Sequence, residues 1–170
     1  MTAPTNPRIR GMTTADSGDA RFVEAFADQY RALHRVLREE LQNLTPETLA
    51  WTPCEGANSI AVLVTHMLGN EMESVRTVAG VASDRVRARE FEVQGANAGE
   101  LVALIDRAEG VLEELAPRIS AERLGAAHVR PSALDQTPHT GTHILMHSLA
   151  HAREHTGQLL LTRQLAGARG

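Results

Sequence analysis

Apolar residues recur along most of the chain at intervals of three and four, the period of helices that bury one face. Phe22, Phe26, Tyr30, Leu33, Leu37, Leu41 and Leu44 step by 4, 4, 3, 4, 4 and 3 residues. This stripe predicts a first helix that stops at Thr45-Pro46, where proline breaks the hydrogen-bond ladder. A loop at 52–56 follows, and Asn58 or Ser59 supplies an N-cap for a second helix from Ile60 to about Val78, ended near Gly80. Residues 81–96 are charged and aperiodic and read as a linking loop. Asn97 and Glu100 form a capping-box pattern ahead of Leu101, Leu104, Ile105, Ala108, Leu112 and Leu115, a third helix closed by Pro117. A short turn over 120–124 and an irregular stretch over 125–137 lead to a fourth helix. It begins between Thr137 and Thr142 and runs through Leu165, before Gly167. Four helical stripes without an alternating strand pattern predict an all-α fold, an antiparallel four-helix bundle.

With 170 residues the chain fills one core, so we expect a tail over 1–18 and a single domain over 19–167. The 42% hydrophobic and 22% charged content is that of an ordinary globular domain. The longest uncharged apolar stretch, 60–69, is interrupted by Thr65 and His66 and is too short to span a bilayer, so no membrane partner is expected. A net charge of −4 and 3% aromatic residues exclude the basic, stacking surface that nucleic acid needs. Cys54 stands alone and no apolar run follows the N-terminal arginines, so the expected location is the cytoplasm.

The histidines change the picture. Of eight, five lie between His139 and His155, and His143, His147, His151 and His155 recur at every fourth position. Residues i and i+4 stack on one helix face and can grip one ion, but each step turns about 40° round the axis, so all four cannot share it. On a helical wheel His151 and His155 share an arc with Ile144, Ser148, Ala152 and Leu159, whereas His147 lies toward Glu154 and Gln158. The last pair therefore points best into the bundle. A catalytic ion usually takes three protein ligands and keeps one position open, so a third ligand must come from another helix. His66 qualifies, because its face carries Ser59, Val62, Leu63, Asn70, Glu73 and Thr77, apolar on one side and polar on the other. Spacing alone is equally compatible with histidines that only pack or face solvent.

Trp51-Thr52-Pro53, the run from Gly56 to His66 and then Gly69-Asn70-Glu71 resemble the second-helix segment of the DinB-like superfamily. The run from His147 through His151 and His155 to Gly157-Gln158 resembles that superfamily's fourth-helix pattern, two histidines four apart followed by a Gly-Gln pair. The resemblance implies a DinB-like four-helix bundle that often dimerises and holds one divalent ion, zinc, nickel or iron, on three histidines in an open cleft. Carried over residue by residue, the ligands would be His66, His151 and His155. His147 is an extra histidine one turn earlier and stays open as an alternate ligand. Members of the superfamily include enzymes that add low-molecular-weight thiols to electrophiles, a thiol-dependent maleylpyruvate isomerase and candidate metal-dependent hydrolases. The implied function is a metal-dependent transferase joining a small thiol, as cosubstrate, to an electrophilic small molecule. A metal-dependent hydrolase and a non-catalytic metal-binding bundle that acts by association are the alternatives.

Other residues weigh less. Glu73 and Asn70 share the face of His66 and read as a base, as partners of the ligands or, in preference, as plain polar lining. Cys54 lacks a defined base, and Trp51 suits a plug at the bundle end. His34 lies beside the first apolar stripe, and His128 and His139 fall in irregular segments, so surface or loop roles suffice for them. Arg85, Arg87 and Arg89 alternate with apolar residues and read as a solvated edge.

Overall fold

Each of the four predicted stripes becomes a long helix whose apolar face supplies the core. The computed structural model describes residues 14–168. Helix α1 spans Thr14–Leu41 and buries Val23, Phe26, Tyr30, Leu33, Leu37 and Leu41. It takes in residues expected to belong to the tail, of which 1–13 lie outside the described residues. It ends at Leu41, short of the expected stop at Thr45-Pro46, because the chain turns at Asn43, which has a positive φ of 61°. A short α2 at Pro46–Ala50, capped by the Thr45 hydroxyl, leads to α3 at Ile60–Ala79. The Ser59 hydroxyl accepts from the Val62 amide to start α3, and Gly80 ends it in the left-handed region at φ 79°. Glycine adopts that conformation without the Cβ penalty that other residues incur. Most of α3 is buried, because α4 and α6 pack on its two sides.

Helix α4, Ala98–Leu115, opens with the expected capping box, in which the Asn97 and Glu100 side chains each accept from the other's amide. A short α5 at Ala121–Gly125 precedes two strands of two residues, β1 at Ala127–His128 and β2 at His139–Thr140, paired antiparallel. The sequence reads as irregular here because each strand is too short to show alternation. Helix α6, Gly141–Gly167, follows with the Thr140 hydroxyl accepting from the His143 amide.

Contacts between helices set the direction of each. Val23 of α1 lines one surface with Ala116 and Ile119, while Arg38 pairs with Asp106, so α1 and α4 are antiparallel. Val78 lies beside Gly141 and His66 beside His151, so α3 and α6 are antiparallel as well. Gln29 meets Arg153 and Glu40 meets Arg163, so α1 and α6 run the same way. It follows that α3 and α4 also run the same way. Their linker, 80–97, must travel back along α3 for about 30 Å, a distance its eighteen residues easily span. This return path lays the linker against the face of α3 that carries His66.

The core holds one pairing that the sequence did not predict. His34 is fully buried, and its Nε2 lies 2.9 Å from Oε2 of Glu71 across the bundle from α1 to α3. A surface role is therefore ruled out for His34. Burial pushes the Glu71 carboxyl above its usual range, with His34 opposing the shift. Nearby the Tyr30 hydroxyl and the Ser148 hydroxyl are 2.7 Å apart. No helix among the described residues is long and apolar enough to cross a membrane.

Candidate metal centre

His66 on α3 and His151 and His155 on α6 meet near the middle of these two helices. Nε2 of His151 is 3.1 Å from Nε2 of His66 and 3.0 Å from Nε2 of His155. One ligating nitrogen from each of the three lies within 4.8 Å of the others. The wheel's choice of the last histidine pair, and of α3 for the third ring, describes this cluster. His147 stays outside it, its ring 6.4 Å from that of His151 and stacked toward His143.

The other ring nitrogens decide what the cluster can bind. Nδ1 of His66 is 2.8 Å from Oε2 of Glu90, and Nδ1 of His155 is 2.8 Å from Oε1 of Gln158. Both partners accept, so each Nδ1–H donates to its partner, and in the neutral tautomer this selects, Nε2 is the nitrogen left to ligate, facing His151. At most one proton on His151 can be shared between them. Burial, helped by the neighbouring His155 and His66, drives the His151 pKa down to about 3, so its ring is neutral at physiological pH. Three inward-facing imidazole nitrogens with so few protons call for a cation. A tetrahedral ion with bonds of about 2.05 Å needs nitrogens about 3.3 Å apart, close to the two separations found. The donor set therefore fits a divalent ion of the imidazole-preferring kind.

The linker supplies the outer layer. Glu90 belongs to a 3₁₀ turn, Arg87–Phe91, and is buried against His66. Arg85 grips both oxygens of Glu90, Nε to Oε1 at 2.6 Å and Nη2 to Oε2 at 2.8 Å, and reaches Oε2 of Glu73 at 2.9 Å. Burial alone would raise the Glu90 carboxyl, but Arg85 and His66 outweigh it and hold Glu90 below its usual range, ionised. A carboxylate on the far nitrogen of a ligating histidine fixes its tautomer and orientation and raises its basicity. Arg85 is thus an interior strut, which corrects the reading of the arginine run as a solvated edge; Arg89 is exposed as expected, and Arg87 lies over the Phe91 ring. Glu73 does not touch the cluster. Its carboxylate is occupied by Arg85 and by the Ser132 amide at 2.9 Å, so it braces the linker and the 129–138 loop.

Gly69 explains itself at this point. A Cβ there would stand 2.1 Å from Oε1 of Glu90, so only glycine lets that carboxylate close on α3. Glu90 and Arg85 escaped the sequence analysis because they sit in an aperiodic linker and reach His66 only through the return path. A cleft of about 330 Å³ opens beside the cluster, reaching His66 and His151 and lined also by Asn70, Arg130 and the His139, His143 and His147 ladder. His128, in β1, bonds the Arg123 carbonyl at 2.7 Å and lines the same cleft. Cys54 is exposed in the loop before α3 and is not among the residues of the cluster.

Comparison with known proteins agrees with this architecture. A family model described as a protein of unknown function, DUF1572, matches residues 17–169. The chain belongs to the DUF1572 family. DUF1572 is a DinB-like family, so the superfamily expected from the second-helix and fourth-helix motifs is borne out. A crystal structure of a DinB-like protein from Bacillus cereus is similar with a TM-score of 0.67 and 16% identity, over 85% of this chain and 92% of that one. A DinB-like protein, YjoA, from Bacillus subtilis is similar with a TM-score of 0.60 and 16% identity, over 86% and 92% of the two chains. At that identity the two structures show the shared all-α bundle of this DUF1572 protein and nothing of its chemistry. No curated protein matches the chain.

Proposed function

We propose that this DUF1572 protein is a metal-dependent enzyme whose divalent ion is held by His66, His151 and His155, and that it transfers a low-molecular-weight thiol to an electrophilic small molecule. The observation that carries the reading is the convergence of three Nε2 atoms, two with Nδ1 hydrogens already committed to Glu90 and Gln158, at the wall of an open cleft. Three ligands beside a cleft favour catalysis over a purely structural ion, which is normally closed in by four protein ligands. An ion in such a site lowers the pKa of a thiol or water and polarises an electrophile. The chain's own part is to keep the ligands in order. Glu90 holds the His66 tautomer, Arg85 holds Glu90, Gln158 holds His155, and α3 and α6 set the spacing. In the overall transfer the thiol S–H bond breaks and an S–C bond forms at the electrophilic carbon. That carbon either expels its leaving group, as chloride that departs with the proton, or in an addition breaks a double bond or epoxide C–O bond whose released atom takes up the proton. A homodimer, often found in the superfamily, completes the proposal.

Elemental analysis of tag-free wild type, His66→Ala and His155→Ala tests the centre. About one ion per chain in the wild type, and a loss in both variants, is expected. Metal retained in His66→Ala would refute the ligand set. Loaded wild type should then conjugate small thiols to model electrophiles such as 1-chloro-2,4-dinitrobenzene, and the metal-free variants should not. Hydrolysis of activated esters without any thiol transfer would point instead to the hydrolase alternative.

A further inference from the structure

The cleft has a feature that metal binding does not use. Arg130, in the loop after β1, lines it and lies half-buried. Among the described residues no carboxylate comes within ion-pair distance of its guanidinium. Glu73 is close enough to be felt as a charge, but both its oxygens are already bonded, to Arg85 and to the Ser132 amide. Asp135, the acid on the cleft wall, is occupied by Thr137. Three further polar atoms on residues of the same cleft are buried without a partner, Oγ of Ser132, Oδ1 of Asn70 and, on the metal-ligand ring itself, Nδ1 of His151. A half-buried guanidinium and an orphaned hydroxyl two residues apart are costly unless a ligand satisfies them.

We propose that the cleft takes a small molecule bearing a carboxylate, held by the fork of Arg130 and the hydroxyl of Ser132. This deepens the enzymatic reading, on which it rests for the role of that molecule as substrate. The planar fork matches the two oxygens of a carboxylate, and the Ser132 hydroxyl, two residues further along the same loop, is a donor without a partner. The position of Arg130 is fixed because the Glu73 carboxylate anchors the backbone of Ser132 to α3. Burial draws the Arg130 pKa down without discharging it, so the guanidinium remains a cation looking for an anion. Ile144 and Ala133 supply apolar wall for the rest of the ligand.

The test measures thermal unfolding of the full chain against succinate, its neutral analogue succinamide and inorganic phosphate. Each titration is run on metal-loaded and chelator-treated protein whose metal content is determined. Succinate should raise the melting temperature of both forms, and succinamide should not. In Arg130→Gln the succinate dissociation constant should weaken by about tenfold to a hundredfold, as expected for one lost charged hydrogen-bond pair. Arg130→Lys, which keeps the charge and loses the fork, should fall between. Arg130 has no partner to lose, so these variants should fold like the wild type, which the unliganded melting temperature checks. Equal succinate affinity in wild type and Arg130→Gln would overturn the proposal, as would binding of phosphate alone. Succinate binding that vanishes on chelation but survives Arg130→Gln would also overturn it, placing the anion on the ion and leaving the metal centre intact. Arg130-dependent binding in a chain that never takes up metal would uphold the carboxylate site and refute the metal centre.

Discussion

Gly69→Ala sets two effects of opposite sign against each other. In an exposed helix interior, alanine is favoured over glycine by about 1 kcal/mol. Here the new Cβ would stand 2.1 Å from Oε1 of Glu90 and 3.2 Å from Nε of Arg85. An ordinary carbon–oxygen contact is about 3.3 Å, so the carboxylate must retreat by about 1.2 Å. It cannot do so and keep its 2.6 Å bond to Arg85 and its 2.8 Å bond to His66. Hydrogen bonds to charged groups contribute about 1.5–3 kcal/mol each. Losing one of them outweighs the helix gain, and the metal-free variant should be less stable by about 0.5–2 kcal/mol. The larger effect should fall on the ion, because removing the carboxylate behind a ligating histidine typically costs about tenfold to a hundredfold in metal affinity. Competition against a chromophoric chelator measures the affinity, and urea unfolding of metal-free protein measures the stability. Gly110→Ala, where a Cβ meets nothing within 4 Å, is the control and should be stabilising with unchanged affinity. Zinc bound by Gly69→Ala as tightly as by wild type would refute the claim that Glu90 tunes His66.

Three further outcomes follow from the same contacts. His34→Ala strands the Glu71 carboxyl in the core, at a cost of about 3–5 kcal/mol in chemical denaturation. Because burial raises the folded-state pKa of Glu71, and removing His34 raises it further, stability should be highest at low pH and be lost as pH rises; a variant equally destabilised at pH 5 and pH 8 would contradict this. The ring of His151 binds its proton far less well in the folded protein, at about 3 against an ordinary value of 6.5. Metal-free protein should therefore keep full stability above about pH 6.5 and lose this contribution as pH falls toward 3, a slope that His151→Gln should flatten in pH-dependent melting curves. In Gly141→Ala the Cβ would stand 2.4 Å from the Arg123 carbonyl, backbone that cannot swing aside, and the expected loss is about 1–3 kcal/mol by urea unfolding.

How much of this protein was legible in its sequence varies with the kind of residue. Helix ends could be read because their signals are local. Ser59 before Ile60, the Asn97 and Glu100 box and Gly80 each act within one turn of their own position. Their hydrogen bonds need no tertiary partner. The stripes on α1 and α4 were equally plain, since burial of one face imprints its period on the sequence. The histidine pair on α6 could be chosen by angle alone, because two residues four apart share a face wherever the helix lies.

What the sequence by itself determined, then, is what local signals on one helix can specify: the capped ends of α3 and α4, the buried faces, and the side on which His151 and His155 project. The ends of α1, at Thr14 and Leu41, were not read from it. Only the tertiary structure decided which groups from distant segments meet there. The parallel course of α3 and α4 forces the linker back along α3, and that path brings Arg85 and Glu90 onto His66 from 19 and 24 residues away. Nothing in their local spacing marks them, since a hydrogen bond across the fold leaves no period in the chain. The same holds for His34, which lies at the margin of an apolar stripe and is fully buried because Glu71 on α3 faces it across the core. A charged or polar residue can be read as exposed from its own helix, but its partner, and therefore its burial, is set by the neighbour that the fold brings to it.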